Sequence, residues 1–194
     1  MKEKPILFNG PMVVAVDDKR KNQTRRVMKP QPEYRENESL PGNFGTFFQH
    51  WNIDHKLFKG HEIKSPYGSI GDRLWVKENW RTSPDYDHLP PRDIPKTAPI
   101  EYIATDPFVH WGKTRPNIFM CRWMSRFLLE ITDIRVERLN DISEEDAKAE
   151  GVNPDWETQS FIDGFFPLWN QINEKRGFGW DKNPWVWAVT FKKI

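Results

Sequence analysis

Ten tryptophans stand in a chain of 194 residues, together with thirteen phenylalanines and four tyrosines. Each ring removes a large apolar area from water when buried. The chain therefore carries a real core although hydrophobic residues make up only 37% of it, and full disorder is excluded. The length fits one domain over 1–194 better than two. No apolar run approaches the roughly 20 residues that a membrane helix requires. The start, Met1-Lys2-Glu3-Lys4-Pro5, has neither the apolar stretch nor the small-residue cleavage site of a secretory signal. The single cysteine, Cys121, permits no internal disulfide and no cysteine-based zinc cluster. A cytoplasmic protein without membrane partner, cofactor or metal is expected.

The pattern along the chain is that of an α+β fold. Ile6-Leu7-Phe8 reads as a strand ended by Asn9-Gly10, and Pro11 suits the first turn of a helix over 11–20. Thr24 to Met28 reads as a second strand. Asp72 to Trp80 alternates as one strand, with Leu74, Val76, Glu78 and Trp80 on a shared face. Phe127 to Leu139 is the longest strand candidate, and its apolar phase slips near Thr132-Asp133, which predicts a bulge. Ser143 followed by Glu144, Glu145 and Asp146 opens a helix that Gly151 closes. Residues 160–175 keep helical apolar spacing through Phe161, Phe165, Leu168, Trp169 and Ile172. The chain ends in a strand through Trp185, Trp187, Val189 and Phe191. Residues 33–65 and 83–110 read as insertions; in the second, prolines at 84, 90, 91, 95 and 99 make 83–99 a loop, and Ile100 to Ala104 reads as a short strand. Short strands with few helices between them predict a mixed, closed β-barrel with flanking helices.

Charge is uneven although the formal net charge is +1. Residues 1–30 carry eight basic side chains against three acidic ones. Residues 133–163 carry ten acidic side chains against Arg135, Arg138 and Lys148. Such polarity either focuses an anionic ligand at one end or marks two solvated faces of opposite sign.

Four features bear on chemistry. The run from Lys19 to Arg26 places closely spaced cations beside the Thr24 hydroxyl. It can grip a phosphate, or Lys21 can take the proton of Thr24 if neighbouring cations lower its pKa; an ordinary basic helix end is the plain alternative. Glu78 shares a strand face with Leu74 and Val76, so its carboxylate must be paired, hydrogen-bonded or protonated. The histidines at 50, 55, 61, 88 and 110 lie in loop segments without metal-ligand spacing. Arg122 lies beside Cys121, where a lone thiol is more often inert than reactive.

Taken together, several segments resemble the ASCH family of the PUA-like superfamily, in the form common in phage and prophage genomes. They are Lys4-Pro5-Ile6-Leu7-Phe8; Lys21-x-x-Thr24-Arg25-Arg26 running to Pro32; Gly71-Asp72-x-Leu74-Trp75-Val76-Lys77-Glu78-x-Trp80; Met120-x-Arg122-Trp123-x-Ser125-Arg126; Glu130-Ile131-Thr132 through Glu150-Gly151; and Asn183-Pro184-Trp185-Val186-Trp187. The resemblance implies a PUA-like mixed barrel and a cleft lined by the Lys-x-x-Thr-x-Arg segment. It implies RNA or a modified nucleoside as partner. It also implies, as in one branch of the family, an amidohydrolase removing the acetyl group of N4-acetylcytidine with Lys21, Thr24 and Glu78, or, as in another, a ribonuclease. Lys19, Arg25, Arg26 and Arg122 would contact nucleic acid. The alternative is a recognition module that catalyses nothing. Lys19, Asn22 and Cys121 depart from the usual family pattern, which bears on substrate range.

Overall fold

Asn9 accepts a hydrogen bond from the Met12 N–H through its side chain, and Pro11 follows in the first turn, so the helix begins where the sequence places it. The computed structural model describes residues 1–32, 64–105 and 112–194. Their elements are β1 (Glu3–Leu7), α1 (Gly10–Asp17), β2 (Gln23–Val27), β3 (Arg73–Lys77), β4 (Trp80–Thr82), β5 (Ile100–Tyr102), β6 (Leu128–Arg138), α2 (Glu144–Ala149), α3 (Phe161–Asn173) and β7 (Trp185–Lys193), joined by short 3-10 turns. Residues 33–63, with His50, His55 and His61, and residues 106–111, with His110, lie outside the described residues.

The fold is α+β. Five strands form one mixed sheet in the order β1-β3-β6-β7-β2, with β1 parallel to β3 and the other pairs antiparallel. The β6–β7 ladder shifts register between Ile131 and Asp133, the bulge that the phase slip predicts. The sheet curls until its two edge strands approach: Arg26 of β2 donates from Nη2 to the Leu7 carbonyl of β1 at 2.7 Å. Ile6, Phe8, Leu74, Val76, Leu129, Ile131, Val189 and Phe191 fill the curl, with Val13 and Val16 of α1 packed on them. On the outer side, Val186 of β7 packs with Ala147 of α2 and with Phe165 and Trp169 of α3.

The expected single strand 72–80 is instead two. β3 ends at Lys77, and Trp80 begins β4, which pairs with β5 in a separate two-stranded sheet. The chain turns between them because Glu78 and Asn79 bond sideways. The Glu78 N–H meets Met120 Sδ at 3.5 Å, and Asn79 Oδ1 accepts from the Asn117 N–H at 2.9 Å. Trp80 therefore does not continue the face of Leu74 and Val76. It is fully buried with Ile94, Ala98, Met120 and Met124. The proline-rich stretch expected as a loop supplies Ile94 and Ala98 to this cluster.

Candidate functional site

The segment joining α1 to β2 is bent back over the helix end. Arg20 and Lys21 N–H groups both donate to the Ala15 carbonyl, at 2.8 and 2.9 Å, and the Asn22 N–H donates to Ala149 at the end of α2. The helix predicted over 11–20 thus stops at Asp17, and Lys19 adopts φ 61° on the surface. The end of α2 is pressed against this turn by Gly151. Its φ is +81°, and a Cβ there would lie 2.7 Å from Lys21 Cβ and 2.8 Å from Ala15 Cβ. Only glycine fits.

That approach delivers Glu150 to Lys21. The lysine is 3% exposed, and its Nζ donates to Glu150 Oε2 at 2.7 Å, the Glu150 carbonyl at 2.8 Å and the Gln23 carbonyl at 2.7 Å. Burial pushes the Lys21 pKa below the usual lysine value, against the opposing pull of Glu150. The ammonium also lies 5.6 Å from the Phe8 ring centroid.

Arg25 extends the network. Its Nε donates to Glu137 Oε1 at 2.8 Å, Nη2 to Asp146 Oδ2 at 2.7 Å, and Nη1 to Gln23 Oε1 at 2.5 Å; Nη1 also reaches Glu150 Oε1 at 3.4 Å. Arg135 shares Asp146 Oδ2 at 2.8 Å. The basic amino-terminal segment and the acidic segment thus meet each other instead of forming two separate solvated faces. Burial raises the Glu137 pKa, with the two arginines opposing. Burial also pushes Asp146 up, but Arg25, Gln23 and Arg135 outweigh it and hold this carboxyl below its usual value. The Arg25 side chain has no exposed surface, so its donors serve internal carboxylates.

Thr24 and Arg26 alternate with Gln23 and Arg25 along β2. Thr24 is 1% exposed. The Arg26 guanidinium lies 5.7 Å from the Phe8 centroid, and its Nε is buried without a hydrogen-bond partner. Glu78 is also buried, and Arg126 grips it with Nε and Nη2, both at 2.9 Å. The carboxylate that meets Lys21 is therefore Glu150, a residue that sequence reasoning did not select for the site. Its only signal there was the Glu150-Gly151 pair at a helix end. Arg122 donates to Glu3 at 2.7 Å, at the start of β1, whereas Phe8 lies just past its end.

A pocket of about 250 Å³ opens between β2 and α3. Glu150 and Arg25 line its buried part. Arg26, Tyr67, Trp169 and Ile172 line its walls, and the exposed Lys29 and Arg176 border it with Phe178. Lys21 and Thr24 are not among the lining residues; Lys21 sits behind Glu150. No group of three or more His, Cys, Asp or Glu among the described residues is placed to hold a metal ion. No helix among them is long and apolar enough to cross a membrane.

Two solved structures are similar to this chain. One is an ASCH domain from Lactobacillus crispatus JV V101, with a TM-score of 0.43 and 9% identity, covering 99% of this chain and 79% of that one. The other is protein EF3133 from Enterococcus faecalis V583, of family model DUF984, with a TM-score of 0.44 and 10% identity, covering 100% and 81%. No family model matches the chain, and no curated protein matches it. At such identities neither structure assigns a role to a residue here.

Proposed function

We propose that this protein binds RNA or a modified nucleoside, with the base in the pocket between β2 and α3. The observation that carries this reading is Glu150. It lines the pocket while Lys21 fixes one of its oxygens at 2.7 Å. An ionised carboxylate accepts hydrogen bonds at about four lone-pair positions, so Glu150 can also accept from the exocyclic amino group of a base. Tyr67, half-buried in the lining, offers an aromatic wall for the ring. The ASCH-like motifs point to the same class of ligand. Titration of the tryptophan fluorescence with cytidine and uridine tests this. Cytidine should bind the more tightly, and Glu150→Gln should remove the preference; equal binding by the wild type would refute the reading.

A second reading, hydrolysis, is favoured by the contact between Lys21 and Glu150. In it, Thr24 attacks the amide carbonyl of N4-acetylcytidine after Lys21 removes its proton, and Glu78 or Glu150 protonates the leaving amine. Water then hydrolyses the acetyl-threonine ester to release acetate and restore the hydroxyl. Burial favours the neutral lysine that this requires, but each Nζ proton donates to an acceptor at 2.7–2.8 Å in the resting arrangement. Acetate release by wild type, Lys21→Ala, Thr24→Ala, Glu78→Gln and Glu150→Gln separates the readings. Loss of about 100-fold or more in the Lys21 and Thr24 variants supports catalysis. Binding without acetate release leaves a recognition module.

A further inference from the structure

We infer that the exposed end of the same pocket is a phosphate site built from Arg26, Lys29 and Arg176, so that the ligand is a nucleotide rather than a free nucleoside. The inference rests on the pocket reading above and deepens it.

Among the described residues, four cationic side chains line this pocket, Arg25, Arg26, Lys29 and Arg176, against one carboxylate, Glu150. Arg25 is occupied internally, and Glu150 is already bonded to Lys21 and close to Arg25. The remaining three cations form no ion pair among the described residues, and one carboxylate, Glu150, acts at a distance on Arg26. Arg26 donates from Nη2 to the Leu7 carbonyl, which carries no charge, and its buried Nε has no acceptor. Among the described residues, Lys29 meets an aromatic ring, with Nζ 5.4 Å from the Phe178 centroid. Burial is the main cause of the lowered Arg26 pKa; Tyr67 and Glu150 oppose it, and Arg176 is near enough for its charge to add to it.

Like charges converging on one cavity repel each other, and a buried donor without an acceptor carries a desolvation cost. A dianionic phosphate removes both penalties, since guanidinium groups pair with phosphate oxygens in two-pronged fashion and a lysine adds a point charge. The aromatic and apolar walls adjoin these cations, which places a base and a phosphate in one continuous space. About 250 Å³ lies below the roughly 300–1,000 Å³ of drug-sized sites. That suits a single nucleotide better than a stacked run of bases.

Binding of cytidine, cytidine 5′-monophosphate, inorganic phosphate and a short cytidine-containing RNA to the full chain tests this. The monophosphate should bind about tenfold or more tighter than cytidine, inorganic phosphate should compete with it, and its affinity should fall with salt. Arg176→Ala should bring the monophosphate down to the affinity of cytidine. Lys175→Ala, which removes an exposed neighbouring cation that does not line the pocket, should leave it unchanged. Because Arg26 ties β1 to β2 and its loss threatens the fold, the test uses Arg176 and repeats it with Lys29→Ala. Tighter binding of the RNA than of the monophosphate would support the site with a phosphodiester as its natural occupant. Equal affinities for cytidine and its monophosphate would overturn the phosphate site and leave the pocket reading standing. Absence of binding by both would overturn the two together.

Discussion

Lys21 and Glu150 form a buried ion pair whose partners depend on each other. Removing one partner of such a pair strands the other charge away from water, which typically costs about 3–5 kcal/mol. Glu150→Ala should therefore lower the unfolding free energy by about that amount, read from urea denaturation. Lys21→Met combined with Glu150→Ala should cost clearly less than the sum of the single changes; additivity would mean that the two side chains do not act on each other. The pH dependence has a definite sign. Burial holds the Lys21 pKa below 10.5 in the folded state, so the unfolded chain binds this proton more readily. The cost of burying the charge is fully present at pH values below the folded pKa and disappears as pH rises from there towards 10.5. Measured against Lys21→Met, wild-type stability should rise through that alkaline window; a flat difference would mean that burial does not shift this group. The sequence drew attention to Lys21 and Thr24 because they share one short basic motif, but neither lines the pocket. It made Glu78 legible as a carboxylate on an apolar face, and that residue is indeed buried and paired. Glu150 was hidden because its contact spans 129 positions and its local surroundings read as nothing more than a helix end.

The helix end is what sets this pairing. α2 is short, and its carboxyl-terminal Gly151 combines a left-handed backbone with the close approach to Lys21 and Ala15. Arg20 strengthens the seam by donating from Nη1 to the Gly151 carbonyl at 2.7 Å. Gly151→Ala should cost about 1–3 kcal/mol from backbone strain alone, more with the Cβ clashes, and should weaken ligand binding because Glu150 shifts with the helix end. Chemical denaturation and the cytidine titration check both effects, and an unchanged titration would mean that Glu150 keeps its place without the glycine. At the opposite end of α2, Glu144 accepts hydrogen bonds from the Ser160 hydroxyl and the Phe161 N–H at the start of α3. The two helices are thereby fixed to each other. The start of α2 was readable from the Ser143 cap and that of α3 from its apolar spacing; in the structure Ser143 and Ser160 both cap the following turn through the N–H three residues on. The break between β3 and β4 was not readable. Alternation continues unbroken from Leu74 to Trp80, and the bonds that redirect the chain come from Asn117, Met120 and Arg126, remote in sequence.

The whole chain is organised around β7, which pairs with β6 on one side and β2 on the other and is covered on both faces. The β4–β5 pair stands apart, with three residues per strand and its own buried cluster about Trp80. Arg126 joins the two parts. Its guanidinium lies 4.2 Å from the ring centroid of Tyr102 in β5 and 4.7 Å from that of Phe127 in the main core. Both of its bonds to Glu78 fall at the turn between β3 and β4. Burial alone would lower the Arg126 pKa; Glu78 foremost, with Asp17 and Tyr102, more than reverses this. Amide hydrogen exchange under native conditions should therefore divide the protein. The amides of β7 should open only with global unfolding, and those of β4 and β5 at a lower free energy. Glu78→Gln removes a charge-assisted pair worth about 1.5–3 kcal/mol. Since the pair holds the smaller unit against the larger one, its loss should lower the opening free energy of β4 and β5 by about that amount and change β7 much less. Equal losses in β4, β5 and β7 would mean that the Trp80 cluster is part of a single cooperative core, and that Glu78 stabilises the molecule as a whole.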